Sequence, residues 1–141
     1  MSCVIGIDLG GSKIALGLVS AQDEILARRR IDTDADAGLQ GVVERIADEV
    51  AALQNTLPRD EAVSALGVGA PGPLDHRKGE LLTLVNLPGI SNTPFRRALE
   101  ERLSLPVALD HDAKAAALGE FHFGAGRGRD SMIYIVIGTG V

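Results

Sequence analysis

Gly6-Ile7-Asp8-Leu9-Gly10-Gly11-Ser12-Lys13 carries an apolar strand into an acid, two glycines, a hydroxyl and a lysine before a second apolar strand begins. Two readings fit this stretch. In one it is a phosphate-handling turn: Asp8 closes a strand over Val4 to Ile7 and can hold a hydrated cation, while Gly10 and Gly11 let backbone N–H groups come close to an anion. Ser12 and Lys13 then add a hydroxyl and a positive charge. In the other it is a hairpin, because Asp-x-Gly-Gly is common turn chemistry between two strands.

Working outward, Ile14 to Val19 and Glu24 to Ile31 continue the strand pattern, and short connections at Gly10 to Ser12 and Ser20 to Asp23 predict an antiparallel three-strand meander. The period then changes. Leu39, Val42, Val43, Ile46, Val50 and Leu53 recur at helical spacing, with Glu44, Arg45, Asp48 and Glu49 on the other side, so an amphipathic helix is predicted to end near Leu57 before Pro58. Ala65 to Ala70 returns to strand and enters Pro71-Gly72-Pro73-Leu74-Asp75, where the prolines forbid a helix. Glu80 to Leu84 reads as a strand and Val85 to Gly89 as a loop. Thr93 is predicted to cap a helix that starts at Pro94 and runs to Leu103. A strand over Pro106 to Asp110, an alanine-rich helix from Asp112 to about Phe123, a glycine-rich linker over 124–130 and a buried-looking strand over Ser131 to Ile137 complete the pattern. The apolar run of that last strand, Met132 to Ile137, would be unpartnered, which predicts disorder, docking on the lobe or pairing with another chain. The fold class is α/β, with a mixed sheet of meander and parallel strands and flanking helices.

Composition argues against several functions. With 141 residues, few aromatics and a net charge of −5, the chain lacks the basic stripe and stacking platforms of a nucleic-acid binder. Arg28-Arg29-Arg30 is the one basic run and reads as a solvated strand edge. Cys3 is the single cysteine, so neither an intrachain disulfide nor a cysteine zinc cluster can form within these residues. No apolar run reaches membrane length and no signal peptide is visible, which predicts a cytoplasmic protein with no membrane partner. Two nucleotide motifs match in spacing only. Gly67-x-Gly69-x-x-Gly72 runs into a proline turn and not a helix, and Gly6 to Gly11 is followed by Ser-Lys in reversed order and by a strand.

Three strand ends carry candidate chemistry: Asp8 to Lys13, Gly69 to Asp75, and Asp110-His111-Asp112. Ligands of open α/β sheets collect beyond the carboxyl ends of parallel strands, so these segments can converge. Asp112 is the candidate general base, a carboxylate placed to take a proton from a hydroxyl as it attacks phosphorus. On local evidence the stronger reading is a helix N-cap, since Asp is a preferred cap and a clear helix follows from Ala113, and the two roles can coexist. Asp110 reads as a strand-end acid in water, His76 and His122 as surface residues, and Glu120 as a structural partner of Arg127 or Arg129. Asn86 suits a sugar hydroxyl but also forms turns.

Together these segments resemble the ROK sugar kinases, a family of the actin-like ATPase superfamily that includes bacterial glucokinases, fructokinases and N-acetylhexosamine kinases. Ile7 to Lys13 is similar to that family's first phosphate motif, Gly67 to Asp75 to its glycine-proline loop and Asn86-Leu87-Pro88-Gly89 to its sugar-side loop. Asp112 to Ala117 is similar to its catalytic helix start and Gly138-Thr139-Gly140-Val141 to the opening of its second phosphate motif. The resemblance implies an actin-like (ribonuclease H-like) lobe over 1–123, the 124–130 linker and the first strand of a second lobe over 131–141. It implies ATP and Mg2+ as cofactors, with Asp112 as base and Asp8 at the metal. Gly10, Gly11, Ser12, Lys13, Gly138, Thr139 and Gly140 would lie near the phosphates, and Gly72, Asn86, His111 and Asp112 would face the sugar. His111 stands where the family more often has Asn. Zinc would belong to a C-terminal part absent from this chain, and a homodimer to the full-length protein. A sugar-responsive regulator and a non-catalytic sugar-binding lobe are the alternatives.

Overall fold

The computed structural model describes residues 2–137; Gly138, Thr139 and Gly140 lie outside the described residues. Alternation builds the sheet. In β1 (Ser2–Leu9) Cys3, Ile5, Ile7 and Leu9 are buried and the residues between them exposed, the period of a strand packed on one face. β2 (Lys13–Val19) and β3 (Ile25–Asp32) extend it antiparallel, as the meander requires. β1 continues past Ile7, because Asp8 and Leu9 still pair with Ala15 and Ile14, so Asp8 sits within the strand and does not terminate it.

α1 (Gly38–Gln54) buries Val42, Val43, Ile46, Val50 and Leu53 along one stripe, as their spacing predicts. It stops at Gln54, short of Leu57, where the amides of Thr56 and Leu57 turn back onto Leu53 and Gln54. β4 (Ala62–Ala70) then pairs parallel with β1. A bulge marks this pairing: Cys3 faces Val63 but Val4 faces Ala65. The extra residue, Ser64, changes the buried phase of β4 from Val63 to Leu66, Val68 and Ala70. A small hairpin of β5 (Leu74–Asp75) and β6 (Glu80–Leu81), α2 (Phe95–Leu103) and β7 (Val107–His111) follow. β7 adds parallel to β4, giving the order β3-β2-β1-β4-β7.

α1 and α2 cover one face of this sheet, where each fully buried Ile, Leu or Phe contributes about 1.5–3 kcal/mol. The other face carries small residues. Register aligns Gly17, Gly6, Gly67 and Ala108 across four strands, and Ala15, Asp8, Gly69 and Asp110 in the next row. α3 (Asp112–Phe123) starts over that second row, with no buried residue of its own.

Four local expectations change. β6 ends at Leu81 and not Leu84, because Leu84, Leu87 and Ile90 turn inward while Ser91 Oγ accepts from the Leu84 amide at 2.8 Å. α2 begins at Phe95 with Pro94 in the cap position; Thr93 is committed to a bridge with Leu81 and its hydroxyl donates to the Ile90 carbonyl at 2.6 Å. Glu120 accepts from the Ala125 amide at 3.1 Å instead of pairing with an arginine, and 124–129 is a series of hydrogen-bonded turns. Met132 to Ile137 forms no ladder among the described residues, and Ile133 and Ile137 are 89% and 83% exposed. An apolar run has strand propensity, but a strand exists only with a partner.

Candidate active site

Because β1, β4 and β7 run parallel, their C-terminal ends share one edge of the sheet, and the loops leaving them meet there. A Cβ on Gly69 would lie 3.3 Å from Asp112 Cα, so α3 starts directly against the end of β4. On Gly72 it would lie 2.7 Å from His111 Nε2, and on Gly11 3.2 Å from Asn86 Cβ. Glycine at these positions lets α3 close on the end of β4, the Gly72 loop on His111, and the glycine turn on the Asn86 loop. Asp8 and Asp112 both line a cleft of about 1140 Å³ over the small-residue face, together with Gly6, Gly67, Gly69 and Asp110.

Asp112 is the first residue of α3, and the cap position belongs to His111, whose backbone is extended. The capping role expected of Asp112 is therefore shared: its Oδ1 accepts from the Ala113 amide at 2.6 Å, and His111 Nδ1 lies 3.2 Å from the same amide. His111 Nδ1 also lies 2.7 Å from Asp112 Oδ1. The proton on Nδ1 decides between these contacts: a protonated Nδ1 donates to Asp112, and a bare one accepts from Ala113. Either way Oδ1 is engaged, while Oδ2 has no protein partner among the described residues. That oxygen is free to take a proton.

Asp110 is not a strand-end acid in open water. Its Oδ1 accepts from the His111 amide at 2.7 Å, with Lys114 Nζ at 3.4 Å and His76 Nδ1 at 3.8 Å. The His111 N–H, helped by the Lys114 ammonium and the neighbouring His76, holds its carboxyl below the usual range. His76 is exposed as expected, yet its Nδ1 donates to the Leu109 carbonyl at 3.1 Å. No sequence signal links residues 76 and 110; only the packing of the β5–β6 hairpin beside β7 brings them together.

The glycine turn differs from expectation at one atom. The Gly10 amide is not available to a ligand, because it donates to the Lys13 carbonyl at 2.9 Å and closes the turn. The amides of Gly11 and Ser12 make no bond among the described residues, and both residues are exposed. Lys13 pairs with Asp32, its register partner on β3, and thereby lowers the Asp32 pKa. Asn86 is exposed at a loop tip anchored by the buried Leu84, Leu87 and Ile90. Among the described residues no cluster of three or more His, Cys, Asp or Glu could hold a metal unaided, and no helix is long and apolar enough to cross a membrane.

Residues 4–141 match the ROK family. The chain belongs to the ROK family. Over 138 residues this ROK chain is 36% identical to the glucokinase of Thermotoga maritima, which covers 98% of this chain and 42% of that protein. Among solved structures, the ROK hexokinase of Thermus thermophilus superposes with a TM-score of 0.79 at 39% identity, over 89% of this chain and 40% of the other. A ROK glucokinase of Streptomyces griseus, in complex with glucose and AMPPNP, gives 0.77 at 34% identity, over 91% and 39%. A xylose repressor of Caldicellulosiruptor bescii is 30% identical over 142 residues, 98% of this chain and 35% of that one. The ROK chain thus spans about two-fifths of the length of its curated kinase relatives. Its fold is the actin-like mixed-sheet lobe that the resemblance implies.

Proposed function

We propose that this chain is the N-terminal lobe, residues 1–123, of an ATP-dependent hexose kinase, with 124–130 linking it to a second lobe that opens at 131–141. The observation that carries the reading is the meeting of Asp112, His111, Gly69 and Gly72 at the sheet edge, with Asp8 lining the same cleft. Asp112 Oδ2 takes the proton of the attacking sugar hydroxyl, and His111, with the neighbouring helix start, holds that carboxylate in place. His111, Asn86 and the Gly72 backbone orient the sugar; the planar amide of Asn86 both donates to and accepts from hydroxyls.

The free amides of Gly11 and Ser12 and the Ser12 hydroxyl suit the phosphates of ATP. Gly138, Thr139 and Gly140 are assigned to the facing side of that phosphate site. Lys13 reaches the transferred phosphate only by leaving Asp32. The donor set fits Mg2+ better than a metal that needs a dedicated cage, because Asp8 is a lone carboxylate without a protein partner among the described residues. When bound, the ion neutralises charge on the phosphates. In-line transfer depends on groups from both sides of the phosphoryl group, so the lobe alone is inactive.

The test is sugar-dependent ADP release by a chain of the relatives' full length across a panel of hexoses. Turnover with at least one hexose is expected; no sugar-dependent release from any of them overturns the reading. The xylose repressor similarity favours a second reading, a sugar-responsive regulator. Duplex DNA binding by the full-length protein that persists at physiological salt would support it over the kinase.

A further inference from the structure

Thr33 is the polar residue the structure buries completely among the described residues, and nothing in the proposed chemistry uses it. It stands between Asp32, the last residue of β3, and Asp34, whose backbone is left-handed (φ 51°, ψ 55°). Both of its polar groups reach the glycine turn. The hydroxyl donates to the Gly10 carbonyl at 2.7 Å, and the amide donates to the Ser12 carbonyl at 2.9 Å. A trans peptide points its C=O and N–H in opposite directions. Holding the Gly10 carbonyl inward therefore turns the Gly11 N–H outward, away from Thr33.

The residues after Thr33 reach the Asn86 loop as well. A Cβ on Gly89 would lie 1.9 Å from the Ala35 carbonyl oxygen, so the loop that carries Asn86 rests directly on backbone two residues beyond Thr33. Arg45 of α1 pins the same segment through Asp34 at 3.1 Å. Thr33 thus sits where one short stretch touches both the Gly10–Lys13 turn and the Asn86 loop.

We propose that Thr33 is a positioning residue: through the Gly10 carbonyl it aims the Gly11 amide at a phosphate oxygen and fixes the turn relative to the Asn86 loop. The assignment of that amide to a phosphate rests on the kinase reading above, whereas the tie itself does not. A buried hydroxyl could instead serve packing alone, and the two roles separate in experiment.

Thr33→Val keeps the shape and removes the donor; Thr33→Ser keeps the donor. In this chain, amide hydrogen exchange reads the tie. Exchange at Gly10, whose N–H closes the turn, is expected to quicken about tenfold in Thr33→Val, the worth of one hydrogen bond, while the amides of Val43 and Ile46 in α1 stay unchanged and Ser restores the wild-type rate. In the full-length protein, KM for ATP is expected to rise about tenfold in Thr33→Val with KM for the sugar within about twofold, and Ser again restores it. Unchanged Gly10 exchange, or quickening shared equally by α1, overturns the tie. Altered exchange with an unchanged KM for ATP overturns the positioning role and leaves Thr33 structural. A full-length protein that phosphorylates no sugar defeats the kinase reading, and the Gly10 exchange still decides the tie.

Discussion

The same strands present two different faces. On one, Ile5, Ile7, Leu9, Ile14, Leu16 and Leu18 pack against α1 and α2; on the other, the register brings Gly6, Gly17, Gly67, Asp8, Gly69 and Asp110 together. Period-two alternation separates the work. Bulk on the first face holds the lobe together; on the second, the small residue at Gly69 lets α3 start against the end of β4, which brings Asp112 to the sheet edge, while Gly6, Gly17 and Gly67 border open space. A change on either face should therefore show its effect in a different measurement.

The largest effect on folding belongs to the packed face. Ile46 is fully buried in α1, so Ile46→Ala removes three heavy atoms where few neighbours can relax, and chemical denaturation should show a loss of about 2–5 kcal/mol. A loss below about 1 kcal/mol would mean that α1 is not anchored as described.

Next comes the charge at the open face. The folded-state pKa of Asp110 lies below its ordinary value near 3.8, chiefly through the His111 amide. A depressed carboxyl pKa contributes stability that is complete above the unfolded value and is lost as pH falls through the folded one. Asp110→Asn keeps the shape and an acceptor oxygen but loses the charge. Its stability should fall less steeply than that of the wild type between about pH 5 and pH 2, with the gap between the two closing towards the acid end. Parallel curves would show that Asp110 is not held by these partners.

The smallest effect is expected at Gly6, in the middle of the glycine row, where an added Cβ meets nothing within 4 Å. Gly6→Ala in this chain should leave the melting temperature unchanged or slightly raised, because alanine loses less backbone entropy on folding. A clear loss would show that this face is more tightly covered than its geometry indicates.

Much of this lobe was legible in the residues. The meander follows from two short turns between apolar runs, α1 from the spacing of Val42, Val43, Ile46, Val50 and Leu53, and the loop after β4 from its prolines. What escaped depends on contacts distant in sequence. The Ser64 bulge shifts the buried phase of β4 only because β1 lies beside it, and the Gly10 amide is lost to a ligand only because the turn closes on Lys13. Met132 to Ile137 has the composition of a buried strand, yet composition does not supply a neighbour to pair with. The candidate site shows the same division. Asp8, Asn86, His111 and Asp112 stood out by residue type and by family resemblance, whereas Thr33 and the contact between His76 and Asp110 carry no local signal. Thr33 reads as one more threonine after a strand until the turn 23 residues earlier in the chain is folded against it.

The most direct test of the kinase account is ATP turnover by the full-length protein with its preferred hexose, wild type against Asp112→Asn. The substitution keeps the shape of the side chain and removes its basicity. The account predicts a fall in kcat of about 10²–10⁴-fold with KM for ATP within about twofold and the melting temperature little changed. Unchanged turnover would contradict it.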